Sequence, residues 1–154
     1  MLTFFTVALW GFAANAIAGD QSRKIQSLGG LEVGELRAGD YEAGCGCGFY
    51  YPAEKKGAGS FIISWELGGP AVMFTRGNLH KLQPAADIPY ASALGEKQQV
   101  SLSSQQLSVA GTLTSVWVCP KDSEGCEVSE FTGPLTIEAG TIKSKIAVWV
   151  SCGC

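Results

Sequence analysis

The sequence predicts an all-β fold, a single-domain antiparallel β-sandwich or barrel stapled by disulfides. Three observations lead there. Apolar residues recur at every second position through much of the chain after Tyr41. Short strand-like runs are separated by glycine- and proline-bearing turn signals. Six cysteines fall into three local pairs, and an even count in an exported chain reads as a disulfide framework.

Length and composition set the frame. The chain has 154 residues, which fits one domain. Only 16% of residues are charged, against roughly 25% in an average globular domain, and 20 are glycine. A net charge of −3 argues against a nucleic-acid partner, which needs a basic face. A single histidine removes any multi-histidine metal or active site.

The first 18 residues, MLTFFTVALWGFAANAIA, hold 14 apolar residues and no charged one. They end in the small-x-small triplet Ala16-Ile17-Ala18 and meet the polar run Gly19–Lys24. This layout predicts a signal peptide over 1–18 and a single β domain over 19–154. The run is shorter than the ~20 apolar residues a spanning helix needs. The expected product is therefore periplasmic or secreted, with no membrane span.

Taken in order, Tyr41–Tyr51 alternates strictly. Tyr41, Ala43, Cys45, Cys47, Phe49 and Tyr51 share one face, while Gly44, Gly46 and Gly48 leave the other nearly bare. A bare strand face points to a bend, a bulge or a close neighbour. Ser60–Glu66, Pro70–Thr75 and Asn78–Leu82 follow as strands, punctuated by Gly68-Gly69-Pro70 and Arg76-Gly77-Asn78. Beyond an irregular stretch lie Gln98–Leu102, Gln106–Cys119, Cys126–Phe131, Pro134–Glu138 and Thr141–Cys152. In the last of these Ile142, Ile146, Val148, Val150, Cys152 and Cys154 share a parity. Both C-x-C pairs should thus face the core.

The cysteine spacing is C-x-C at Cys45/Cys47, C-x₆-C at Cys119/Cys126 and C-x-C at Cys152/Cys154. Residues i and i+2 of a strand sit ~6.6 Å apart, so a bridge within an extended C-x-C is strained. Two adjacent C-x-C strands avoid that strain. They allow Cys45–Cys154 with Cys47–Cys152, or Cys45–Cys152 with Cys47–Cys154. Cys119–Cys126 would close its own loop. The functional alternative is that Cys45, Cys47, Cys152 and Cys154 hold Zn²⁺ or Cu(I) through thiolates. Against it stand the unusual spacing, the oxidising compartment and the core-facing parity.

Catalytic signals are sparse. His80 follows a tight turn, with Ser60, Ser64, Ser92 and Asp87 as nominal triad partners, but no G-x-S-x-G elbow is present. An exposed strand histidine is the simpler reading. Gly57-Ala58-Gly59-Ser60 lacks the G-K-[ST] ending of a phosphate loop, and no cofactor is expected. Asp122, Glu124, Glu127 and Glu130 lack the ligand spacing of a calcium loop and read as a solvated hairpin tip. Trp65, Trp117 and Trp149 read as packing residues. The segment Gln83–Gly95 is long for a hairpin connection and carries Asp87 and Tyr90. Such a loop on a rigid β scaffold is a candidate for recognition, and a packed surface loop is its plainer reading.

The elements Gly44-Cys45-Gly46-Cys47, Gly68-Gly69-Pro70-Ala71-Val72-Met73 and Cys152-Gly153-Cys154 together resemble a group of uncharacterised secreted bacterial β-rich proteins with CGC motifs. That resemblance implies export and an all-β fold and carries no activity. In size and compartment the chain is also similar to the small periplasmic β-barrel lysozyme inhibitors, by analogy alone. The expected function is non-enzymatic: a binding, inhibitor or envelope-interaction module whose partner is a protein or a cell-envelope component. A thiolate copper or zinc protein is one alternative, and a hydrolase built on His80 is another.

Overall fold

A computed structural model describes residues 22–87, 89–120 and 123–154. The expected signal peptide and Asp122 lie outside them. Among the described residues there are ten strands: β1 (Ile25–Leu28), β2 (Leu31–Gly34), β3 (Gly46–Tyr51), β4 (Ser60–Glu66), β5 (Ala71–Thr75), β6 (Asn78–Pro84), β7 (Lys97–Ser103), β8 (Ser108–Val118), β9 (Val128–Ala139) and β10 (Ile142–Gly153). Every pairing is antiparallel.

The order β5-β4-β3-β10-β9-β8-β7-β6 closes on itself through the β5–β6 pairing. The fold is therefore an eight-stranded barrel, and closure removes the unpaired edges that an open sheet would expose. The β1–β2 hairpin stands outside this ring. β4 pairs with Ala71–Met73 of β5, and β2 takes over beside Phe74 and Thr75.

Local chemistry explains the tight hairpins. Arg76 and Gly77 both adopt positive φ, 50° and 80°, between the paired Thr75 and Asn78. This is the primed two-residue turn whose twist suits antiparallel strands. The inner face is apolar and alternating: Phe49, Trp65, Met73, Leu82, Leu113, Phe131, Leu135 and Val148 are buried to 1% exposure or less.

The structure departs from the sequence expectations in several places. Tyr41–Cys45 is irregular, so β3 begins only at Gly46. The two strands expected over 126–138 are one, Val128–Ala139, in which Pro134 sits opposite Ala147 of β10. The β1–β2 hairpin was not anticipated. Trp65 is core, whereas Trp117 is 40% exposed.

Strand direction divides the connections between two barrel ends. One end, here the disulfide end, carries the Cys45–Cys154 bond, the 67–70 turn, the 85–96 connection and the 119–127 loop. The opposite end carries the β1–β2 hairpin, the 3₁₀ turn Ala53–Ala58, the Arg76-Gly77 turn and the 104–107 and 140–141 turns.

Candidate functional site

Cys47 lies directly opposite Cys152 in the β3–β10 ladder, and Gly46 opposite Gly153. This antiparallel register selects the pairing: Cys45 bonds Cys154 and Cys47 bonds Cys152. Their Cα–Cα distances of 4.1 and 4.0 Å match the close, non-hydrogen-bonded class of opposed pairs rather than the ~5.5 Å class. Cys119 bonds Cys126 across its loop. The core-facing expectation holds for Cys47 and Cys152, which are 3% and 4% exposed. It fails for the other bridge: Cys45 is half-buried and Cys154 exposed, because the barrel wall ends at Gly46 and Gly153. All four sulfurs of the metal alternative are consumed in these bonds. Among the described residues no group of three or more His, Cys, Asp or Glu is placed to hold a metal ion.

Residues 89–96, leading into β7, lie at the disulfide end and are tied to the barrel by buried serines. Ser115 Oγ donates to the Ala93 carbonyl at 2.6 Å and accepts from the Glu96 N–H at 3.2 Å. Ser129 Oγ donates to the Ala91 carbonyl at 3.2 Å. Ser115 and Ser129 are 3% and 2% exposed, and Ala91 between them is 2% exposed. Backbone bonds from Gly95 N–H to Ser115 and from Ser115 N–H to Glu96 extend the β7–β8 ladder. They bring Leu94 to the Val116–Trp117 end of β8. The Gln98 side-chain amide donates to the Tyr90 carbonyl at 2.8 Å. The segment is thus a pinned cover over the barrel end, holding Tyr90 outward at 70% exposure and Asp87 exposed.

Other exposed apolar side chains gather at the same end. Leu67, Tyr90, Leu94, Val116 and Trp117 make up five of the seven exposed large hydrophobics among the described residues, at 38–70% exposure. Ile25 and Leu79 are the other two. Sequence reasoning did not single out Leu67, Leu94 or Val116, and it read Trp117 as a packing residue. Val116 faces out by alternation with the inward Leu113 and Ser115, whereas Trp117, of their parity, is turned out where the β8–β9 register shifts between Ser115 and Trp117.

Beside this end runs an outer-face groove of about 420 Å³. Its floor is the bare face expected of β3, Gly46 and Gly48, joined by Gly153. Its walls are aromatic and acidic. Tyr50 stacks on Phe61 at 5.3 Å between ring centroids, and Tyr41 meets Phe61 edge-on at 5.0 Å. The Glu42 N–H donates to Glu66 Oε1 at 3.2 Å. A Cβ at Gly48 would lie 3.0 Å from Tyr50 Oη, so the tyrosine covers the glycine. Burial raises the Tyr50 hydroxyl above its ordinary value of 10.0, with a smaller push from Tyr41.

His80 is half-buried, not exposed. It lies on the same side of β6 as buried Leu82, with Nε2 3.3 Å from the Thr75 carbonyl oxygen. Its nominal partners are elsewhere. Ser60 Oγ accepts from Lys24 Nζ at 3.0 Å, Ser92 Oγ donates to Glu96 at 2.8 Å, and Asp87 belongs to the disulfide end. Ser64 lines the outer groove. Among the described residues, none of these nominal partners is hydrogen-bonded to His80.

Three disulfides fit an oxidising, extracellular-type environment. Among the described residues no helix is long and apolar enough to cross a membrane. No family model, no curated protein and no solved structure matches this chain.

Proposed function

We propose that this protein is an exported, non-enzymatic binding module of the periplasm or cell exterior. It recognises a protein or envelope component through the loops at the disulfide end of its barrel. One observation carries the reading: among the described residues, five of seven exposed large apolar side chains lie toward that end, and two of them, Tyr90 and Leu94, sit on a segment tied down by buried serine hydrogen bonds. Exposed apolar clusters on a soluble domain mark interaction surfaces, and aromatic anchors held in place bind at low entropic cost.

Immobilised oxidised protein, incubated with a periplasmic and envelope extract from the source cells, should retain a partner that withstands washing. The double variant Tyr90→Ser/Leu94→Ser should retain at least tenfold less of that partner while melting at the same temperature, since both side chains are exposed. Equal retention by the two proteins would remove the disulfide end as the binding surface.

A further inference from the structure

The charge at the disulfide end specifies what kind of surface can dock there. Among the described residues, segments 42–45, 66–70, 85–97 and 123–130 carry seven carboxylates against one cation, Lys97. Lys121 and Asp122, which complete the 119–127 loop, cancel in charge. At the other end, segments 23–35, 53–58, 76–77 and 138–143 carry six cations against four carboxylates. The barrel is thus electrically polar along its axis, although the chain as a whole has a net charge of only −3. The ion pairs Arg23–Asp40 and Lys143–Glu138 lie outside these acidic segments.

Resting on the binding-module reading above, we infer that the partner is a cationic protein surface, presenting arginine or lysine side chains around an apolar centre. Complementarity has two parts. Tyr90 and Trp117 are 70% and 40% exposed, and exposed aromatic rings attract guanidinium groups. The acidic positions Glu66, Glu127 and Glu130 border the Leu67, Trp117 and Cys119–Cys126 regions and attract the same groups at longer range. The groove beside this end holds two of its carboxylates, Glu42 and Glu66, next to the Tyr41 ring. An anionic bilayer surface would be repelled by this end, so the occupant is a protein and not a membrane.

Three probes test this on the oxidised, ¹⁵N-labelled folded protein: an alternating arginine–tryptophan hexapeptide, its glutamate–tryptophan counterpart, and phosphatidylglycerol vesicles. The arginine peptide should shift the amides of Leu67, Leu94, Val116 and Trp117, while the glutamate peptide and the vesicles leave them in place. Its affinity should fall about tenfold in Glu66→Gln/Glu127→Gln/Glu130→Gln, by the sum of a few exposed charge contacts. It should fall again when salt rises from about 50 to 300 mM. Retained dispersion of the variant's spectrum shows that the variant is folded. Equal binding of the two peptides, shifts confined to the Arg76-Gly77 and Gly140-Thr141 turns, or sedimentation with the vesicles would each overturn the cationic assignment. If partner capture depends on Tyr90 and Leu94 but the arginine peptide does not bind, the loop-end reading stands and only this inference falls.

Discussion

The Ser115 hydroxyl donates to the Ala93 carbonyl at 2.6 Å from a side chain only 3% exposed. The same oxygen accepts the Glu96 N–H. A single small polar residue on the inner face of β8 therefore fixes both sides of Leu94. Without it, the cover over the barrel end would lose its nearest anchor to the wall.

Ser115→Ala should leave the Ala93 carbonyl and the Glu96 N–H without these partners, costing about 1–3 kcal/mol of stability. The loss should be local first. Hydrogen exchange of residues 91–96 should quicken while β9 and β10 remain protected. Uniform acceleration across the barrel in this variant would show that the cover is not an independent unit.

The two cross-strand bridges are redundant as loop closures, with sequence separations of 109 and 105 residues. Cys45→Ala/Cys154→Ala should cost less than about 2 kcal/mol, because Cys47–Cys152 still closes the same loop. Removing all four cysteines should cost nearer ~5 kcal/mol, as the chain-entropy model gives for a loop of that length. Chemical denaturation of both variants measures the non-additivity. Equal costs would mean that the bridges act through separate local packing.

Gly46 and Gly48 share a bare face but should respond differently to alanine. A Cβ at Gly46 would lie 2.3 Å from the Trp65 carbonyl oxygen, and backbone cannot step aside cheaply. Gly46→Ala should cost about 1–3 kcal/mol. At Gly48 the obstacles are the Tyr50 and Phe61 rings at 3.0–3.2 Å. Gly48→Ala should cost under about 1 kcal/mol. It should swing Tyr50 into water and return its hydroxyl toward 10.0, because burial is what raises it. Absorbance titration of the two variants reads this directly.

The segment entering the barrel is held by Arg23, whose guanidinium bonds Asp40 at 2.6 and 3.1 Å and the Glu35 carbonyl at 2.7 Å. It also lies 3.8 Å over the Phe74 ring. The Arg23 bond and the Arg37 N–H hold the Asp40 carboxyl below its ordinary value of 3.8, against a burial that pushes it up. A depressed folded value means that the stabilisation is complete above the unfolded value near 3.8. It is lost as pH falls from there through the folded value. Asp40→Asn should therefore be less stable than the unsubstituted protein at pH 7, and the difference should shrink below pH 3.8. Denaturation midpoints of both proteins at several pH values give the curve.

Much of this fold was legible because the barrel wall is written in parity. Ser60–Glu66 was read to the residue, and the even positions of β10 predicted the buried face that ends in Cys152. The cysteine spacing narrowed the bridges to two registers, and only the strand direction decided between them. The β1–β2 hairpin escaped notice because its strands are four residues each and carry little alternation beyond Leu28, Leu31 and Val33. Tyr41–Cys45 kept perfect parity yet left the ladder. Parity reports which side a residue would face, not whether a neighbour exists to pair with it. The site was less visible. Loop length singles out Asp87 and Tyr90 as candidates, but Ser115 and Ser129 look like any strand serine until their hydroxyls meet loop carbonyls 22 and 38 residues away.

The most direct test of the loop-end binding reading places a photo-crosslinking phenylalanine analogue at Tyr90 in one sample and at Leu79 in another. Both positions are exposed, at 70% and 42%, and Leu79 lies toward the opposite end of the barrel. In whole source cells, irradiation should produce a discrete heavier adduct from position 90 and none from position 79. Adducts of equal yield from both positions, or from Leu79 alone, would contradict recognition through the disulfide end.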